Sequence, residues 1–595
     1  MKRLFRGLRC APDPRYDAVV IGSGIGGLIT ANLLARDGAR VLLVEQHYMA
    51  GGYCSTFRRG GFTFDAATHF YPLLGNPETL TGKLLADLGV ETGWVKMDPV
   101  DTFHFPDGSR FAVPADFAAY LAKLHAEFPH EAPALDAFFA EVREAYLLGL
   151  LEHFRGRETS RLEPYRGLTV RQALDRRFAD QKLKLLLTAD CPHWGSPPGR
   201  TSFVFDSMLR LSYFLGNYYP RGGSQAFADE LARRFEECGG HILTSTRARR
   251  IVVEASGGAG EPGVARGVVL QTLRGPVRFA GTVRCGAVVS NADLLHTLET
   301  LVGAEHLPAG TLLQLRRLRP TFPCWLTHIG LAGVPAETLE QVQGYHWDSW
   351  EMDRVGRDAL RFKLFVPTLY EPAIAPPGGQ VLIVQKVQEL DYAAVTDWPL
   401  HKRQVESFVF GHLSRMIPGI EDRIVVRTSA SAETSWRFTL NHHGAMLGWE
   451  MSPDQLGARR PELASPVRNL FFTGHWVRPG GGITPVIVSA QHAAQAVAAA
   501  LARGAGTAYG SPQLVGAPRT STAGTPSQGA DTSYGSVPAS AASRAREARE
   551  PAAPDAPAAH ALPAAAAPAA PTAPADIGRT GAVSMHETRR ERAKA

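Results

Sequence analysis

Apolar and polar positions follow a regular order over residues 16–65. Residues 18–21 are an unbroken apolar run that predicts a buried parallel strand, and residues 28–36 carry apolar side chains at helical spacing. A second apolar run, 41–44, predicts another strand. Between the first strand and the helix stand Gly22, Ser23, Gly24, Gly26 and Gly27, so the segment reads strand, glycine turn, helix, strand. Farther on, helical spacing over 114–151 and 168–187 predicts a helical insertion, and 225–238 predicts a helix closed by Gly239 and Gly240. Residues 241–244, 249–254, 264–270 and 277–280 read as strands, and 287–293 as a return to the first sheet. The block 312–397 is strand-rich, with alternation over 324–331, 359–367 and 380–388. A last strand and glycine turn lie in 469–484, followed by a helix beginning near Pro485, where a missing N–H costs nothing.

The glycine turn carries the first chemistry. Gly22, Gly24 and Gly27 have G-x-G-x-x-G spacing. The first permits a tight turn, the second lets the backbone approach a pyrophosphate, and the third allows close helix–strand packing. The helix N-terminus behind them offers unpaired N–H groups to an anion. Glu45 ends the second strand about 20 residues on, where an acid accepts from an adenosine ribose and repels a 2′-phosphate. The turn is therefore read as a dinucleotide site that disfavours NADP. No second such fingerprint follows, so no NAD(P)H domain is expected.

Composition changes the picture at the C-terminus. The chain has 595 residues, 45% of them hydrophobic, which would allow about three or four domains. From residue 504 onward, however, Ala, Pro, Ser, Thr and Gly dominate, and such a segment buries too little to offset its ordering entropy. Residues 504–595 are expected to be disordered. The six cysteines are scattered without a C-x-x-C pair, which fits a reduced cytoplasmic compartment and no metal site. No signal peptide is visible, and no apolar run approaches the roughly 20 residues of a spanning helix. The net charge of +6 and the basic start, with Lys2, Arg3, Arg6 and Arg9 among Leu4, Phe5 and Leu8, suit either an anionic membrane surface or a solvated terminus. Nothing in the chain has a nucleic-acid-binding motif.

Several stretches, in their order along the chain, resemble one flavoprotein family. Gly51 and Gly52 beyond the second strand, with the segment GFTFD at 61–65, resemble the second glycine pair of glutathione-reductase-like flavoproteins in the branch holding amine oxidases, phytoene desaturases and Rab GDP-dissociation inhibitor. Residues 366–378, VPTLYEPAIAPPG, and the terminal run NLFFTGHWVRPGGGITP at 469–485 resemble the phytoene desaturase, carotene isomerase and retinol saturase branch. The resemblance spans roughly residues 16–501. It implies an α/β fold in which a Rossmann-like FAD-binding domain is assembled from 16–113, 219–310 and 440–503. An interleaved α+β substrate domain would comprise 114–218 and 311–439, with residues 1–15 a basic N-terminal segment.

The same resemblance implies FAD as cofactor and assigns its contacts to Gly22, Ser23, Gly24, Gly26, Gly27, Glu45, Gln46, Gly51, Gly52, Ala248, Gly474, Gly481, Gly482, Ile483 and Thr484. Ala248 would meet the adenine through its main chain, and residues 481–484 the flavin pyrimidine edge, where a helix dipole stabilises the reduced form. The substrate it implies is a long apolar polyene, reached from a membrane by a peripherally bound cytoplasmic protein, with quinone or oxygen as electron acceptor. The expected activity is carotenoid desaturation or carotene cis–trans isomerisation. The alternatives are a retinol-saturase-like reductase, a flavin amine oxidase and a non-catalytic prenyl-lipid carrier of the GDP-dissociation-inhibitor type. Residues 65–70, DAATHF, resemble the D-x-G-x-H-[YF] stretch of retinol saturases, with Ala67 in place of glycine. His69 would then lie near the isoalloxazine, either as a proton or hydrogen-bond donor or as a packed, hydrogen-bonded structural residue. No other catalytic residue is assigned. In the terminal motif, His475 replaces the acid that amine oxidases aim at the ribityl chain.

Overall fold

The protein is described from a computed structural model covering residues 5–157, 159–188, 191–255 and 261–504. Nearly all of the Ala/Pro-rich tail, and Lys2, Arg3 and Leu4, lie outside the described residues.

The apolar run at the start becomes strand Arg15–Ile21, followed by helix Ile25–Arg36 and strand Val41–Val44. Every residue from Ile25 to Ala35 is buried, so this nucleotide helix is a core element sealed on all sides. Five parallel strands form the first sheet, in the order Leu470–Phe472, Ala280–Ser290, Arg15–Ile21, Val41–Val44 and His241–Leu243. Such strands are covered on both faces, which is why they read as continuous apolar runs. Thr246–Glu254 and Val264–Thr272 add an antiparallel wing. Residues 277–280 form no separate strand; from Ala280 the chain enters one long strand that runs to Ser290. Helix Ser224–Glu237 packs on the nucleotide helix through Phe227, Ala228, Leu231 and Phe235.

Helix Ile483–Gly504 packs on its other side. By length and composition it is apolar enough to cross a membrane, contrary to the expectation that no run approaches that length. Its Ile487, Ala490, Ala494 and Val497 instead belong to the core beneath the first sheet. The N-terminal segment is partly tied down. Phe5 is buried in that same core, and the Arg6 and Gly7 N–H groups donate to Glu236, so the backbone of residues 5–7 is docked while the Arg6 and Arg9 side chains stay exposed.

The second sheet has seven strands, ordered Ile424–Ala430, Cys324–Ala332, Gly379–Val387, Leu360–Phe365, Gly344–Trp347, Asp101–His104 and Arg110–Val113. The last two strands lie in the stretch that the sequence reading placed with the FAD domain, yet they extend this sheet through Tyr345 opposite Phe103. The back of the sheet, including Trp325, Ile329, Phe362 and Val384, is covered by helix Trp398–Met416. On the front, the hairpin Thr56–Arg59/Phe62–Asp65 lays Phe62 and Phe64 against Leu326, Phe365 and Ile383. Helices Ala132–Gly149 and Phe203–Phe214 close the remaining front with a large aromatic core. A chamber is left between this helical cap and the sheet.

Candidate functional site

Three strand ends meet at the first glycine turn. The Gly22 N–H donates to Val44 O at 2.8 Å, the Asn291 N–H to Ile21 O at 2.8 Å, and the Thr473 N–H to Ser290 O at 3.0 Å. The loops beginning at Gly22, Asn291 and Gly474 therefore open side by side at the carboxyl edge of the sheet, where ligands of open α/β sheets bind. Gly27 provides the close packing its position predicts, since a Cβ there would stand 2.0 Å from Gly22 O. Gly24 caps the nucleotide helix without a side-chain hydrogen bond, which leaves first-turn N–H groups open to an anion.

The second glycine pair sits on the first. Gly51 bridges Gly24 in parallel register and donates its N–H to Ser23 O at 2.9 Å, while a Cβ on Gly52 would lie 3.1 Å from Gly24 Cα. From the opposite side, a Cβ on Gly26 would meet the Gly474 N–H at 3.2 Å. The glycines that sequence spacing singled out thus converge from three separate parts of the chain. Side chains are missing where a pyrophosphate would need the backbone. Asn291, which the sequence reading treated only as part of a strand, reaches the same spot: a Cβ on Gly24, Gly26 or Gly474 would stand 2.8, 2.5 or 2.7 Å from its amide.

Glu45 is half-buried at the end of its strand. Its Oε2 accepts from the Ser23 N–H (2.9 Å) and hydroxyl (2.8 Å), and its Oε1 accepts from the His47 N–H at 2.7 Å. A carboxylate has about four acceptor directions, so these three bonds leave room for a ribose hydroxyl. Burial raises its pKa and those donors oppose the rise. Ala248 lies two residues beyond Thr246, whose N–H donates to Glu45 O at 2.8 Å, so it sits on the same flank. Gln46 differs, its amide donating to Phe438 O at 3.1 Å.

At the far end, Gly480 and Gly482 have φ of 143° and 99°, a region that excludes other residues, and a Cβ on Gly481 would stand 2.3 Å from Leu447 O. The terminal helix starts at Ile483, two residues earlier than Pro485 suggested, and Thr484 Oγ1 donates to Pro72 O at 3.1 Å. Beside the turn lies Arg460, wholly buried. It donates to the carbonyls of Trp449, Glu450, His475 and Val477 and makes no ion pair among the described residues. Burial lowers its pKa to about 9. Burial and then Arg460 push His475 down to about 3.

His69 follows the front hairpin, whose Asp65 ties the two sheets together. Asp65 accepts from the Tyr219 hydroxyl at 2.5 Å and the Ser224 N–H at 2.8 Å, and its carbonyl bonds the ring of His328 at 2.9 Å. The His69 ring stacks on Phe365 with centroids 4.7 Å apart. It is buried, and the Gln385 side chain and the Ala67 backbone act on it as hydrogen-bonding groups although neither meets strict hydrogen-bond geometry. Burial, then the charge of Lys363, lowers its pKa to about 3. A neutral ring can offer one N–H but stores no proton near pH 7.

Sequence reasoning also missed the polar centre of the chamber. Gln385, Lys363, Tyr345 and Phe103 stand opposite one another on successive strands, hence on one face of the sheet. Lys363 pairs with Asp101 and lies 3.8 Å above the Phe70 ring. His193, whose pKa burial drives well down, completes the cluster. Strand 360–365 alternates charged and apolar residues as a half-exposed strand does, which conceals a buried lysine.

A glycine cradle at the carboxyl edge of a parallel sheet, an open helix terminus and an acid at the end of the second strand are the features of a dinucleotide-binding α/β fold. Residues 25–498 match the family described as flavin containing amine oxidoreductase, and the chain belongs to it; the cofactor is FAD. The chain is 27% identical to the all-trans-retinol 13,14-reductase of Macaca fascicularis, over 77% of this chain and 82% of that protein. It is 26% identical to the zeta-carotene-forming phytoene desaturase of Myxococcus xanthus, over 80% and 92%, and 27% identical to prolycopene isomerase 1, chloroplastic, of an Oncidium hybrid cultivar, over 82% and 84%. In fold it is similar to an oxidoreductase from Methanosarcina mazei, with a TM-score of 0.57 at 16% identity, covering 80% of this chain and 99% of the other. The chain is thus an FAD-dependent oxidoreductase.

Proposed function

We propose that this flavoenzyme acts on a polyisoprenoid polyene, as a carotenoid desaturase or carotene cis–trans isomerase. A second reading, saturation of a retinoid double bond, is favoured by the His69 stretch. The observation that carries the proposal is the chamber in front of the second sheet. It is lined by Tyr345 and Lys363, over which the Phe70 ring stands, and in part by Met446, one residue from the Leu447 carbonyl that abuts Gly481. A chamber that joins aromatic and aliphatic lining to a small polar centre, beside the flavin turn, suits a long conjugated chain. The names of the three relatives above, a retinol reductase, a phytoene desaturase and a prolycopene isomerase, support the same class.

In this reading the first-turn N–H groups, with Gly22, Ser23, Gly24, Gly26, Gly27, Gly51 and Gly52, hold the pyrophosphate. Glu45 holds the ribose, Ala248 backs the adenine, and Gly474 with Gly481, Gly482, Ile483 and Thr484 receives the flavin. When bound, FAD accepts or supplies the hydride. The chain need then only orient a polyene C–H or C=C and keep water out, and the Phe70 and Tyr345 rings about Lys363 would serve for both. Exposed Leu147 and Leu151, one helical turn apart on the cap, agree with peripheral membrane contact. Quinone or oxygen would take the electrons of a desaturation.

Expression in cells accumulating phytoene, poly-cis-lycopene or retinol tests this by chromatography and mass. Loss of two hydrogens indicates desaturation, altered geometry at constant mass isomerisation, and a gain of two hydrogens saturation. Unchanged polyenes in every strain would overturn the proposal.

A further inference from the structure

A chamber for a pure hydrocarbon needs no hydrogen-bonding groups, and burying them without partners costs stability. This chamber has a polar centre. One cavity is lined by His193, Lys363, Gln385 and Tyr345 together with Cys324, Leu360 and Met446. A second is lined by Asp101, Arg210 and Tyr213 among Val100, Phe103 and Phe214. The Lys363–Asp101 pair has one member in each cavity lining, so it stands where the two meet.

The charges in this centre are internally balanced. Lys363 is matched by Asp101, and Arg210 by Asp206 at 2.7 Å, while His69 and His193 are neutral. An added anion would leave a net buried charge, whereas a neutral oxygen would not. Gln385, opposite Lys363 in the sheet, can both give and accept a hydrogen bond. His69, on which the Gln385 side chain acts as a hydrogen-bonding group, is one ring away from His193, at 6.2 Å.

We propose that Lys363 and Gln385, with His193 beside them, form a head-group subsite that takes the neutral terminal oxygen of an amphipathic polyene, a hydroxyl or carbonyl. The oxygen accepts from the Lys363 ammonium, and a hydroxyl donates in turn to the Gln385 side-chain oxygen. The subsite fixes which double bonds of the chain lie toward the flavin turn. This rests on the polyene reading above and narrows it to oxygenated members of that class.

The test uses flavin-loaded full-length protein under anaerobic conditions, with binding read from the polyene and flavin spectra. The probes are all-trans-retinol, its hydrocarbon analogue lacking the hydroxyl, and the corresponding carboxylic acid. Wild-type protein is expected to bind the alcohol at least about tenfold more tightly than the hydrocarbon, the scale of one charge-assisted hydrogen bond. The double variant Lys363→Met/Asp101→Asn, which removes the pair without stranding a charge, should erase that preference and leave hydrocarbon affinity within about twofold. Gln385→Leu, which keeps the pair, should reduce the preference. Equal wild-type affinity for alcohol and hydrocarbon, or variants that weaken both alike, would overturn the subsite while leaving the polyene reading intact. Tighter binding of the acid than of the alcohol would overturn its neutral character. Failure of all three probes to bind would overturn both readings.

Discussion

Replacing Gly24 by valine and Gly27 by alanine separates what the glycine turn does for the fold from what it does for the cofactor. A Cβ at Gly27 would lie 2.0 Å from Gly22 O and 3.1 Å from its carbon, both backbone atoms. Ordinary contact begins near 3.4 Å, so the helix would have to move about 1.4 Å from the strand. That helix is buried from Ile25 to Ala35 and cannot shift without opening its core. Overpacking of this kind costs about 1–3 kcal/mol, and a backbone obstacle puts Gly27→Ala at or above the upper end. Gly24 is different. Its φ of −62° and ψ of 171° are open to any residue, and the only close neighbour of its Cβ is the far end of the Asn291 side chain, at 2.8 Å. Gly24→Val should therefore cost the apoprotein less than about 1.5 kcal/mol while filling the pyrophosphate position. Urea denaturation of both apoproteins, with flavin content from the visible spectrum, checks this. The expected result is a folded, flavin-free Gly24→Val protein and a strongly destabilised Gly27→Ala protein. A Gly24→Val protein with full flavin, or a Gly27→Ala protein as stable as wild type, would refute the reasoning.

Three further outcomes are expected. Glu45→Gln should weaken FAD by about tenfold or more, since a charge-assisted ribose bond is worth about 1.5–3 kcal/mol, and titration calorimetry showing unchanged affinity would exclude that role. His69, His346 and His475 are all held at about 3 by burial, with Lys363, His104 and Arg460 respectively adding to the effect. Between that value and the ordinary 6.5, the unfolded chain binds protons that the folded chain does not, so stability falls as pH drops below about 6.5, by up to about 1.4 kcal/mol per pH unit for each histidine. Asp293, raised to about 6 by burial, opposes this over its own range, because its folded form binds the proton first. Urea midpoints near pH 7.5 and about 5.5 should show the loss, and His69→Phe should flatten it; an unchanged slope in that variant would contradict the burial account. Arg460→Met should destabilise by about 2–4 kcal/mol, because four buried carbonyls lose their donor, and a neutral effect on the urea midpoint would show that water replaces the guanidinium.

The nucleotide unit was legible because its signals are local. Strand Val41–Val44 falls on the residues that the apolar run marked, and the helices at Ser224–Glu237 and Ile483–Gly504 start within two residues of their expected positions. Their boundaries are set by glycines and proline, whose backbone demands are written in the sequence. Strands Asp101–His104 and Arg110–Val113 were not legible as members of the second sheet, because their partner at Gly344–Trp347 lies far along the chain. Asn291 had a readable signal: it ends a buried strand as Gly22 and Gly474 follow theirs, and adjacent parallel strands open their loops at one edge. Lys363 and Gln385 had none. Their strands look half-solvated, and only the helical cap turns that face into a chamber wall.

The central claim is that this flavoenzyme acts on a polyene through its flavin. A single-turnover experiment on purified, FAD-loaded protein in liposomes tests it most directly, mixing the oxidised or pre-reduced enzyme anaerobically with phytoene, poly-cis-lycopene or retinol while following the flavin spectrum and product mass. At least one polyene should bleach the oxidised flavin, recolour the reduced flavin, or change geometry only in the presence of reduced flavin. Polyenes that leave both flavin states and their own structure untouched, while putrescine or cyclohexylamine bleaches the oxidised flavin, would contradict the account.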